Sequence, residues 1–121
     1  MLVRVLHTVV GTLGFAADAR RVGLSEDERQ QIAAALARDP TAGAIIVGTG
    51  GARKVRFAGR GRGKSGGYRV ITYYGGGDVP LFLLNVFAKG ERADLSQAER
   101  NELRGILGNL AAAYRREMTR R

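Results

Sequence analysis

The chain has 121 residues, 45% of them hydrophobic, with 20 Lys and Arg against 11 Asp and Glu, giving a net charge of +9 and a sequence pI near 11.0. That length holds about one ordinary domain, the apolar content excludes a disordered basic tail, and the charge favours a polyanionic partner, nucleic acid ahead of an anionic membrane surface. No cysteine is present, which excludes disulfides, thiolate nucleophiles and cysteine metal sites and suits a reducing cytoplasm. The longest apolar runs fall well short of the ~20 residues that span a bilayer. With no signal-peptide pattern at the N-terminus, the expectation is a soluble protein that is not exported.

Residues 2–7 (L-V-R-V-L-H) are rich in branched side chains and too short for a helix, so a first strand is expected there. Residues 12–22 place Phe15, Ala19 and Val22 at helical spacing, with Gly23 available as a C-cap. Ser25 and Glu28 then form a capping-box pattern, with Leu24 as a hydrophobic staple ahead of Ile32 and Leu36. Pro40 ends this second helix, because it disfavours helical geometry at Asp39. Residues 41–52 are small and uncharged and close on G-T-G-G, which reads as a turn-rich connection.

A strand is expected over residues 53–58, whose two-residue period puts Val55 and Phe57 on one face and Lys54 and Arg56 on the other. A Gly/Arg/Lys loop follows over 59–67, and then Y-R-V-I-T-Y-Y at 68–74, the most strand-like run in the chain, with Arg69 near its start. After a turn at 75–78, residues 80–88 (P-L-F-L-L-N-V-F-A) are apolar on both faces, as expected of a central strand, and Lys89 stands at their end. Ser96 and Glu99 repeat the capping box, with Leu95 as staple. Leu103, Ile106, Leu107, Leu110 and Tyr114 make the apolar stripe of a last helix. The order β-α-α-β-β-β-α predicts a single α+β domain over residues 1–121. Its sheet is expected to be antiparallel and four-stranded, mixed at one edge, with the helices gathered mainly on one face.

Residues 58–65, A-G-R-G-R-G-K-S, satisfy a loose Walker A pattern. A phosphate-binding loop of that kind opens into a helix, whereas Gly66, Gly67 and the β-branched run Val70, Ile71, Thr72 follow here, and Ala58 replaces the leading glycine. Nucleotide hydrolysis is therefore disfavoured. The same stretch reads better as a nucleic-acid surface: residues 53–69 carry seven cations (Arg53, Lys54, Arg56, Arg60, Arg62, Lys64 and Arg69) and no acid. Arginine forks grip phosphates, and glycines let the backbone approach them. A lone basic loop is usually just a solvated one. Lys54, Arg56 and Arg69 converge, however, if their two strands pair.

His7 is the only histidine, which excludes histidine-pair ribonuclease chemistry and suits a packed side chain better than a base. No carboxylate lies between Asp39 and Asp78, and most others fall in helix caps or first turns, so no acidic cluster of the kind metal-dependent nucleases use is visible. Tyr68, Tyr73 and Tyr74 suit base stacking where exposed, although at least two of them read as sheet core or rim. Asn85 lies inside an apolar strand and needs a hydrogen-bond partner, which is a structural role.

G-T-G-G-A-R-K-V-R-F-A at 48–58, the basic loop, G-Y-R-V-I-T-Y-Y at 67–74 and L-L-N-V-F-A-K-G-E-R-A-D-L-S at 83–96 together resemble the RelE/HigB toxins of bacterial type II toxin-antitoxin systems. The resemblance lies in the order and spacing of short motifs, and it is strongest from residue 48 to 96. It implies a RelE-like fold and a ribosome-dependent mRNA interferase that cuts the message in the A site of the 70S ribosome. Attack by the ribose 2′-hydroxyl would need no metal and no cofactor.

By position the resemblance assigns catalysis to Lys54, Arg56, Arg69 and Lys89. Arg56 and Arg69 are to stabilise the phosphorane, Lys54 is the candidate base and Lys89 is to neutralise the leaving oxygen. RNA binding falls to Arg53, Arg60, Arg62, Lys64 and Tyr68. Where some relatives carry a C-terminal tyrosine, this chain has Ser96 and its neighbours. The implied partner is a helix-turn-helix antitoxin covering the basic surface, with the toxin itself monomeric. Two alternatives stay open at this level: a ParE-like inhibitor of DNA gyrase, and a basic RNA-binding protein without catalysis.

Overall fold

The computed structural model describes residues 6–58, 67–92 and 94–120. Local chemistry at the helix ends sets the first level of structure. Helix α1 (Leu13–Val22) is capped by Thr12, whose hydroxyl oxygen accepts the Phe15 N–H at 3.2 Å and whose O–H donates to the Leu83 carbonyl at 2.9 Å. One side chain thus starts the helix and ties it to the sheet. Gly23, at φ +75°, ends α1 in the left-handed conformation that glycine adopts without a Cβ penalty.

Both expected capping boxes are present. Ser25 and Glu28 exchange hydrogen bonds at the start of α2 (Glu26–Arg38), and Ser96 and Glu99 do so at the start of α3 (Gln97–Thr119). α2 stops at Asp39, immediately before Pro40.

Strands β3 (Ala52–Phe57), β4 (Tyr68–Tyr74) and β5 (Leu81–Ala88) form an antiparallel meander. Two short strands extend it. β1 (Val9–Gly11) pairs in parallel with β5, and β2 (Ala44–Ile45) pairs antiparallel with β3, giving the order β1-β5-β4-β3-β2.

Three expectations need correction. The sheet has five strands, not four. The fifth comes from the connection after Pro40, where the Thr49 hydroxyl donates to the Ile46 carbonyl at 2.7 Å and accepts the Ala52 N–H at 2.9 Å. That buried turn folds residues 44–45 back onto β3. The first strand also begins later than expected: residues 2–5 lie outside the described residues, Leu6 and His7 are not in the sheet, and pairing starts at Val9. The Leu81 N–H donating to the Thr8 carbonyl, and the Thr12 N–H donating to that of Leu83, bracket this short ladder.

Nor do the helices share one face. Phe15, Ala19, Ile32 and Leu36 of α1 and α2 pack with Val55, Val70, Leu81, Leu83 and Val86, while Leu103 and Leu107 of α3 pack with Ile71, Phe82, Leu84 and Phe87. The cause is β5 itself. Being apolar on both faces, it has to be covered on both, and a bulge opposite Ile71 and Thr72 lets Leu84 and Phe87 both serve the α3 side. Leu107 is fully buried in that layer, where truncation to alanine costs about 2–5 kcal/mol.

Beyond the end of β1 the edge of β5 is closed by α1. The Asp18 carboxylate accepts the Val86 N–H and the Asn85 side-chain amide, each at 3.1 Å. Asn85 is thereby satisfied within an otherwise apolar strand. Among the described residues, no helix is long and apolar enough to cross a membrane.

Candidate nucleic-acid site

The register of β3 on β4 builds the site. Arg56 stands directly opposite Arg69, and Lys54 stands opposite Ile71. Alternation places all three cations on the α3 side of the sheet, the side that Ala52, Ile71 and Phe87 share. Directly opposed residues in an antiparallel pair carry Cβ atoms about 4.5–5.5 Å apart, a distance at which like charges repel. Arg69 is 8% exposed, Lys54 is partly buried and Arg56 is exposed. The cations therefore run from the sheet interior to its surface.

The segment just past the neighbouring strand adds a fourth cation. Phe87 pairs with Arg69 across β4 and β5, and the Arg92 guanidinium lies 4.6 Å from the centre of the Phe87 ring. Arg92 is held there by both Glu99 oxygens, each at 2.8 Å. This fork, together with the capping-box bonds, draws the Glu99 carboxyl down from its ordinary 4.5 to about 2. Glu99 thus serves as both helix cap and counter-ion.

Asp94 approaches from the segment that leads into α3. One carboxylate oxygen accepts the Leu95 N–H at 2.8 Å, and the other meets Lys54 Nζ at 3.2 Å and the Arg100 guanidinium at 3.3 Å. Desolvation acts to raise its pKa, but the Leu95 N–H, Lys54 and Arg100 together outweigh it and the carboxyl is lowered. Arg100 also donates to the Val47 carbonyl at 3.3 Å, which anchors the cluster to the turn before β3.

The other residues singled out in the sequence are placed differently. Lys89 is exposed just past β5, its backbone N–H donating to the Gly67 carbonyl at 3.1 Å, and so sits at the same end of the sheet as Arg56 and Arg69. Arg53 points its guanidinium at the Thr41 carbonyl, 2.9 Å away, bracing the turn before β2. Tyr68 packs with Phe57 against the α1/α2 cluster, on the opposite face from the three cations. Its phenol pKa is raised by burial and by the nearby Glu28. Arg60, Arg62 and Lys64 lie outside the described residues.

His7 is at the far end of the sheet, its Nε2 2.8 Å from the Val79 carbonyl and its ring edge-on to Tyr74 at 5.1 Å. A cavity lined by His7, Arg38, Asp78 and Tyr114 opens at that same end, away from the cations. Among the described residues, no group of three or more His, Cys, Asp or Glu side chains is arranged to hold a metal ion.

Arg92, Asp94 and Arg100 were not among the site residues expected from the sequence. Ser96 and Glu99 were legible only as a cap. The available signal was the pairing of basic and acidic residues in E-R-A-D immediately ahead of that cap.

Sheet, helices and cations together define a small α+β protein with a positive site framed by the N-terminal turn of α3, suited to a phosphate chain. The family model of the RelE toxin of the RelE/RelB toxin-antitoxin system matches residues 9–121. The chain belongs to this RelE toxin family. It is a toxin of a toxin-antitoxin system, and the family implies an antitoxin as its partner.

Proposed function

We propose that the protein is a ribosome-dependent endoribonuclease that cuts mRNA in the ribosomal A site. The observation that carries this reading is the cross-strand pair Arg56 and Arg69, with Lys54 on the same face. Two guanidinium groups opposed across a ladder cost stability in the free protein, and a bound phosphodiester relieves that cost.

In the proposed reaction the ribose 2′-oxygen attacks the adjacent phosphorus. The bond to the 5′-oxygen breaks, leaving a 2′,3′-cyclic phosphate and a free 5′-hydroxyl. Lys54 takes the 2′-hydroxyl proton once its ammonium has released one to solvent, and Lys89 delivers a proton to the leaving 5′-oxygen. Arg56 and Arg69 keep their protons and neutralise the charge that builds on the phosphorane oxygens. Arg60, Arg62 and Lys64 of the glycine-rich loop hold ribosomal RNA. A helix-turn-helix antitoxin covering the same cations in the cytoplasm would silence the toxin.

The test is cleavage of a defined mRNA in a translating bacterial extract, with the products mapped for 2′,3′-cyclic ends. Cuts within A-site codons support the proposal. Intact message under conditions where the protein arrests growth contradicts it, and a parallel supercoiling assay would then identify a gyrase poison.

A further inference from the structure

The contact between Asp94 and Lys54 crosses from the segment ahead of α3 to the middle of β3, and nothing in the fold requires it. Both capping-box bonds of α3 form without Asp94, and Leu95 seats that end of the helix in the core. Yet the Asp94 carboxylate is fixed from several directions, by the Leu95 N–H on one oxygen and by Arg100 on the other. Arg100 is itself held by the Val47 carbonyl. The result is a short chain of contacts running from the turn before β3, through Arg100 and Asp94, to the ammonium of Lys54.

Lys54 needs such a restraint. A lysine has four rotatable side-chain bonds, and a proton-transfer group is effective only when it is held within hydrogen-bond reach of its target. On β3 the backbone fixes only the Cα–Cβ direction of this side chain. The Asp94 carboxylate, 3.2 Å from Nζ, selects among the remaining positions.

We infer that Asp94 is a positioning residue for Lys54 in RNA cleavage, with Arg100 as its anchor. The inference rests on the proposed endoribonuclease reading. Asp94 does not touch the reacting atoms. It sets where the ammonium stands before the message arrives, and as a negative charge beside a phosphate-binding surface it does so against RNA affinity.

The test is single-turnover and steady-state cleavage of mRNA on programmed ribosomes by wild type, Asp94→Asn, Asp94→Glu, Lys54→Ala and the Lys54→Ala/Asp94→Asn double variant. Melting curves show that each is folded. The expected result is a kcat lowered roughly 10- to 100-fold in Asp94→Asn, the scale of a misplaced reacting group. Its KM should be unchanged or lower, and Asp94→Glu should recover part of the loss. In the Lys54→Ala background, Asp94→Asn should cost nothing more, because the group it positions is gone. A wild-type kcat in Asp94→Asn overturns the inference while leaving the endoribonuclease reading intact. So does a further tenfold loss in the double variant, which marks a role independent of Lys54. Absence of cleavage by folded wild type overturns both.

Discussion

Arg56 and Arg69 face each other directly across the β3–β4 ladder. A sheet chosen for stability alone would not place them so, since opposed like charges cost a few tenths to about 1 kcal/mol. Arg56 is the exposed member and can be changed without opening the core. Arg56→Gln is therefore expected to melt at the same temperature as wild type or higher in low salt, while mRNA cleavage falls about 10²-fold or more. Calorimetry beside the cleavage assay checks both halves. A clear loss of stability would show that Arg56 is instead a structural residue.

Acid should weaken the protein through Glu99. Its folded pKa of about 2 lies below the ordinary 4.5, so the carboxylate contributes stability that is fully present above about pH 5 and is lost as pH falls toward about 2. The side chain is 39% exposed, so salt should screen much of the effect. Glu99→Gln keeps a side chain able to complete the capping box and removes the charge. Urea melts of both proteins from pH 6 to pH 2 should show wild type losing its advantage over this interval in low salt, and the gap narrowing in 1 M salt. Parallel pH profiles would contradict the assignment.

Gly43 fixes how closely β2 approaches β3. At φ +89° it lies in the left-handed region, and a Cβ there would come within 2.5 Å of the Lys54 carbonyl oxygen. Gly43→Ala thus combines backbone strain of about 1–3 kcal/mol with a clash against backbone that cannot swing aside. A fall in denaturation midpoint is expected, along with weaker cleavage through displacement of Lys54. Gly77→Ala meets nothing within 4 Å and is the control, expected within about 0.5 kcal/mol of wild type. Equal stability of the two variants would contradict the argument.

Helix starts were legible because Ser25 with Glu28 and Ser96 with Glu99 are local patterns, complete within four residues. The shared face of Lys54, Arg56 and Arg69 was also legible, because strand alternation and a meander fix it. The two-residue β2 was not, since Ala44 and Ile45 carry no periodic signal and pair only because Thr49 folds the turn. The placement of helices on both faces was implicit in the doubly apolar β5, but connection order alone suggested one face. Tyr68 and Arg53 read as RNA contacts from their neighbours in sequence, and their packing was not legible there. The pleat turns Tyr68 to the α2 side, and one Arg53 guanidinium nitrogen donates to the Thr41 carbonyl. Asp94 and Arg92 were signalled only by the E-R-A-D run, because their partners, Lys54 and Phe87, are set by tertiary packing.

The most direct measurement is single-turnover cleavage of mRNA on programmed ribosomes by wild type, Lys54→Ala and Arg69→Ala at saturating protein, with melting curves confirming that all three are folded. Wild type is expected to cut, and each variant to cut about 10²- to 10³-fold more slowly. Cleavage unchanged in both variants would contradict the assignment of chemistry to this face of the sheet.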